Sequence, residues 1–80
     1  MLKLKYIIVD GKNVIVFPET LNHSQFKHLN PTSAGFIFFQ QDANHVVTCK
    51  CYGESVTLNL KSLEKDSQLA TNQLINNQFS

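Results

Sequence analysis

The sequence predicts an α+β fold: an antiparallel sheet of about five strands in the order β-β-α-β-β-β-α, with the helices on one face. Three observations predict it. First, apolar and polar residues alternate through most of the chain: Leu2, Leu4, Tyr6 and Ile8 with Lys3 and Lys5, then Val47, Cys49 and Cys51 with Thr48 and Lys50, then Val56, Leu58 and Leu60 with Ser55, Thr57 and Asn59. Successive side chains of a strand point to opposite faces, so this period of two describes a sheet with one buried and one wet face. Second, turn-forming residues separate the alternating runs. Third, the period changes in two places, near residues 21–29 and after Ser62.

Taken in order, strand one covers residues 3–9 and ends at Asp10-Gly11, a pair that accepts the positive φ of a tight hairpin. Strand two covers residues 13–17, and Pro18 stops it by removing a backbone donor. A two-turn helix follows. Asn22 caps it, Gln25 reaches back from the third helical position, Leu21 staples onto Phe26, and Asn30-Pro31 ends it. The small residues Thr32-Ser33-Ala34-Gly35 lead into strand three at residues 36–40, which is apolar on both faces and so central or covered twice. Asp42-Ala43-Asn44 turns the chain into strand four, residues 45–51. Tyr52-Gly53-Glu54 turns it again into strand five, residues 55–60. Ser62 caps a last helix over residues 63–77, with Leu63, Ala70 and Leu74 on one stripe. Phe17, Phe26, Phe36 or Ile37, Val47, Cys49, Val56, Leu58, Leu69 and Leu74 are the expected core.

The chain has 80 residues, enough for one domain near the lower end of what buries its own core, which makes self-association an inexpensive source of stability. Its net charge is +1 and all seven basic residues are lysines. Arginine supplies the planar fork that reads guanine and clamps phosphate, so its absence and the scatter of the lysines along the chain argue against a nucleic-acid partner. No run approaches the ~20 apolar residues of a membrane span. The run Tyr6-Ile7-Ile8-Val9 is shorter than the roughly 7–15 residues of a signal-peptide core. Two cysteines make no disulfide framework. The expectation is a soluble cytoplasmic protein.

Candidate chemistry is sparse. Cys49, Cys51 and His45 fall on one face of strand four, but no second Cys or His pair completes a zinc set, so they read as packing and no metal is expected. His23 and His28 stand five residues apart and point in different directions, which excludes a shared metal. Asp10 and Asp42 serve turns, and Glu64 and Asp66 suit the first turns of a helix, leaving Glu19 and Glu54 unexplained. No nucleophile has an identifiable base, so no catalytic residue and no cofactor is assigned. Two segments invite a ligand because small, hydroxyl-bearing turns beside strand ends let it approach the backbone: Ser33-Ala34-Gly35-Phe36 and Tyr52-Gly53-Glu54-Ser55.

The stretches KYIIVDGKNVIVFPETLNHSQF, SAGF and CYGESVTLNLKS resemble small uncharacterised proteins encoded by bacteriophages and prophages. The resemblance implies an accessory protein acting in the bacterial cytoplasm and carries over no activity. It is strongest at Asn22, His23, Ser33, Gly35, Gly53, Glu54 and Ser55, the expected binding residues. The functional expectation is a non-catalytic binding protein that inhibits or modulates a bacterial host protein through a sheet edge or aromatic face. A homodimer joined through strand three or the C-terminal helix is also expected. One alternative function is an oligomer that sequesters a small nucleotide-like anion between subunits with backbone amides, Lys27 and the serine-rich turns. The other is a structural component of the virion.

Overall fold

The computed structural model describes residues 3–76. Its elements are β1 (Leu4–Val9), β2 (Asn13–Pro18), a 3-10 helix (His23–Leu29), β3 (Pro31–Gln41), β4 (Val47–Tyr52), β5 (Glu54–Ser55), β6 (Leu60–Lys61) and α1 (Asp66–Leu74). The fold is α+β. Strands β1 to β4 form one antiparallel sheet in the order β2-β1-β3-β4, and β5 and β6 pair as a separate ribbon.

The hairpin between β1 and β2 follows from Asp10 and Gly11, which take φ of 58° and 69°. Its register brings Ile7 opposite Ile15 and Lys5 opposite Phe17. β1 and β3 are the central strands, as the two-sided apolar character of β3 led one to expect. Tyr6, Ile7 and Ile8 are fully buried although they alternate faces, so both faces of the sheet are covered. Tyr6, Ile8, Ile37, Cys49, Cys51 and Ala70 form one core with Leu69 and Leu74 of the helix. Ile7, Phe17 and Ala34 form a second core with Phe26, Leu29, Leu58 and Leu60. The two helices therefore lie on opposite faces. The expected arrangement with both on one face is corrected, because each face of the β1 run Tyr6-Ile7-Ile8-Val9 needs its own cover.

Three further elements depart from the sequence reading. β3 begins at Pro31, five residues early, since proline is tolerated at the first position of a strand and the small residues behind it pair with β1. Strand five is not one strand. Glu54–Ser55 and Leu60–Lys61 pair with each other, and the chain turns between them at Asn59, with φ of 55° and its N–H on the Val56 carbonyl at 3.1 Å. Val56 is consequently 83% exposed and leaves the expected core. The last helix starts at Asp66 rather than Leu63, because a turn from Leu63 to Asp66 precedes it. It ends at Leu74, short of the expected residue 77, with Ile75 as C-cap and its N–H on the Thr71 carbonyl at 3.0 Å. Asn77 itself lies outside the described residues.

Helix α1 also closes the sheet's edges. Ser67 and Thr71 accept the N–H groups of Cys51 and Cys49 on β4, each at 2.9 Å. At the opposite edge Gln73 accepts the N–H of Val14 at 2.9 Å and donates to the carbonyl of Lys12. These side chains occupy backbone groups that an incoming strand would need. No helix among the described residues is long and apolar enough to cross a membrane.

Candidate functional site

His23 opens the 3-10 helix because the turn before it is held by a cap: Gln25 accepts the backbone N–H of Asn22 at 2.8 Å, as the sequence suggested. The ring that follows is buried. Its Nε2 lies 2.9 Å from the Gly35 carbonyl, which can only accept, so Nε2 carries the proton and a neutral ring keeps Nδ1 as an acceptor. Phe17 and Phe36 meet the imidazole edge-on, with centroids at 5.4 Å and 5.9 Å. Burial, with the charge of Lys5 behind it, holds the His23 pKa below its usual range, against the pull of the Gly35 carbonyl.

That lowered value fixes the sign of an acid effect. An unfolded histidine takes up its proton near pH ~6.5, while folded His23 resists until lower pH. Its contribution to stability is complete above that value and is lost as pH falls through it toward the folded pKa. Thermal melts of the parent chain should therefore decline from about pH 7 downward, and those of His23→Gln should decline less over that span. Equal slopes for the two proteins would show that His23 does not couple folding to acid.

A cavity of about 230 Å³ opens beside this ring, lined by Lys5, Asn22, His23, Phe36, Glu54, Ser55, Val56 and Thr57. Four of the seven expected binding residues thus meet: Asn22, His23, Glu54 and Ser55. Ser33 does not. It pairs with Ile8 on the α1 side of the sheet, 1% exposed, with no hydrogen-bond partner for its hydroxyl among the described residues. Gly35 and Gly53 support the site by geometry rather than lining it. A Cβ on Gly35 would fall 2.4 Å from the Tyr52 carbonyl oxygen, and Gly53 makes the turn out of β4 with φ of 77°. Phe36, the last residue of the expected segment Ser33-Ala34-Gly35-Phe36, also lines it, whereas Lys5, Val56 and Thr57 were missed by sequence reasoning. Lys27 is exposed near the end of the 3-10 helix and does not line the cavity.

Next to the cavity, one face of β3 and β4 carries a row of rings. Phe36 sits opposite Tyr52 across the strands, and Phe38 sits opposite Lys50. Ring centroids are 5.7 Å apart for Phe36 and Tyr52 and 5.8 Å for Phe38 and Tyr52. Phe38 is 41% and Tyr52 39% exposed. Lys3 places Nζ 4.3 Å from the Phe36 centroid, and Lys5 is the cross-strand neighbour of Phe36 on β1.

The thiols belong elsewhere. Cys49 and Cys51 are free and buried in the α1-side core. Burial raises both pKa values, that of Cys51 to about 12 with help from nearby Asp66. His45 is not on their strand, contrary to expectation. It sits in the β3–β4 turn with φ of 65°, its Nδ1 3.3 Å from Gln41 Nε2. No group of three or more metal-ligating side chains occurs among the described residues. No family model, no curated protein and no solved structure matches the chain.

Proposed function

We propose that this chain is a non-catalytic binding protein whose contact surface is the exposed aromatic face of β3 and β4 together with the cavity beside it. The observation that carries this reading is the contiguous row Phe36–Tyr52–Phe38, of which Phe38 and Tyr52 stay about two-fifths exposed. Clustered exposed rings are retained on a small domain at a cost in solubility, and they mark surfaces that meet a partner. The alternative surface, a sheet edge, is disfavoured because Ser67, Thr71 and Gln73 occupy the edge groups of β4 and β2. Chemistry is disfavoured too. His23 and His45 are engaged by Gly35 and Gln41 rather than by a nucleophile, and both thiols are buried with raised pKa values. A free anion fits the cavity poorly, since Glu54 shares the lining with Lys5. As a phage-type accessory factor, the protein would use this face to occupy a component of the bacterial host.

The test is a comparison of the parent chain with a Phe38→Ala, Tyr52→Ala double variant. Both side chains are about two-fifths exposed, and Tyr52 packs on Phe36 and Phe38. Losing these ring pairs should cost about 1–3 kcal/mol and lower the melting temperature by roughly 4–24 °C while the melt stays cooperative. The parent should retain a component of bacterial lysate, protein or nucleic acid, or a second copy of itself by light scattering, that the variant loses. Identical behaviour of the two proteins in all three respects would refute the reading.

A further inference from the structure

Taking that binding face as established, we infer that its occupant is a single strand of nucleic acid. The sequence argued otherwise because arginine is absent and the lysines are scattered along the chain. Strand pairing gathers three of them. Lys5 pairs with Phe36, Lys50 pairs with Phe38, and Lys3 reaches over the Phe36 ring. The sheet positions on this face thus alternate rings with ammonium groups, and the neighbours further along it, Gln40 and its cross-strand partner Thr48, are uncharged. A protein-docking patch has an uncharged centre, with its charges moved to the rim. Rings interleaved with cations suit instead a polymer that carries a flat π surface and an anion in every repeat.

The geometry also selects single strands. Stacking on an exposed ring requires an unpaired base, and a shallow antiparallel sheet has no element that would enter a duplex groove. Lys3 covers Phe36, so Phe38 and Tyr52 are the rings open to bases, while Lys3 and Lys50 take phosphates. Lys5, whose Nζ donates to the Leu21 carbonyl at 2.9 Å, adds its charge from behind. Lys5 and Phe36 also line the cavity, where Glu54 disfavours a phosphate, so a strand crossing the rings turns only a base edge toward its mouth. There Asn22 and Thr57, both exposed, offer donors and acceptors to a base edge. Lysine without arginine gives little sequence readout, so a sequence-tolerant site is expected.

The experiment is fluorescence anisotropy of the full chain with labelled single-stranded DNA and RNA of about eight nucleotides, and with a hairpin duplex, across a salt series. Saturable binding is expected, with a slope of log K against log salt of about −1.4, since Lys3 and Lys50 each displace ~0.7 counterion from a single strand. The duplex should bind roughly tenfold more weakly. Phe38→Ala and Tyr52→Ala should each lower affinity about tenfold with the fold intact, and Lys50→Gln should flatten the salt slope by ~0.7. No saturable binding at the lowest salt, or equal affinity of the parent and the double ring variant, overturns the inference. If oligonucleotides fail while the double variant still loses a protein partner or self-association, only the identity of the occupant is wrong. If the double variant loses nothing, the binding reading falls with it.

Discussion

Replacing Gly35 with alanine should lower the melting temperature by roughly 12–24 °C, the largest loss among the glycines. The reason is distance, not backbone freedom. A Cβ at this position falls 2.4 Å from the carbonyl oxygen of Tyr52 and 3.3 Å from that of Gly53. Both obstacles are backbone atoms of the segment that leaves β4, so no rotamer change relieves the clash. Overpacking of this kind costs about 3 kcal/mol, a large share of the stability of a small domain. At roughly 4–8 °C per kcal/mol that gives the stated range. Gly11→Ala is the control. It carries a positive φ of 69°, but the nearest atom to a Cβ there is Lys65 Nζ at 4.0 Å. Its cost is the strain of left-handed backbone alone, about 1 kcal/mol. Thermal melts that place the two variants together would mean that the Tyr52–Gly53 segment does not cross Gly35 this closely. The same variant should distort the site, because the Gly35 carbonyl holds His23 and the displaced segment leads directly to Glu54 and Ser55.

The parts of this fold visible in the sequence are those specified by neighbours along the chain. Asp10-Gly11 announces the first hairpin, Asn22 and Gln25 announce the start of the 3-10 helix, and Asn30 takes the left-handed conformation just before Pro31. What stayed hidden depends on distant partners. Residues 32–35 look like a loop because they are small, yet they are small because β1 and the Tyr52–Gly53 segment crowd them. Residues 55–60 keep a perfect alternation and still turn, since Ser55 accepts the N–H of Leu58 at 3.3 Å and Asn59 accepts a positive φ. For the site, polarity and small size singled out Asn22, His23, Glu54 and Ser55. Phe36 was visible beside Gly35, but Lys5 and the row of rings were hidden because their adjacency to it is a register of strands far apart in sequence.

The other large effect is expected where the helix is fastened to the sheet. Asp66, fully buried, accepts the Tyr6 hydroxyl at 2.6 Å and the Leu63 N–H at 2.9 Å through the same oxygen, Oδ2. One carboxyl group thus starts α1, folds the turn before it back, and ties both to the centre of β1. Burial, reinforced by the bond to Asp66, pushes the Tyr6 phenol well above its usual pKa, so it remains a donor across any ordinary pH. Asp66→Ala strands a buried hydroxyl and an N–H group and opens a hole, which should cost about 3–5 kcal/mol. Because α1 also covers both edges through Ser67, Thr71 and Gln73, its loosening should expose strand edges, and aggregation should accompany unfolding. Tyr6→Phe should cost less, about 1–3 kcal/mol, since the Leu63 N–H still satisfies Oδ2. The Tyr6→Phe, Asp66→Ala pair supplies the decisive measurement, because alanine keeps no oxygen to accept the phenol. Denaturant melts of the two singles and the double should reveal a coupling of about 1–3 kcal/mol between the side chains. Additive losses would place the phenol and the carboxyl apart, and the attachment of the helix would then have to come from Leu69, Ala70 and Leu74 alone.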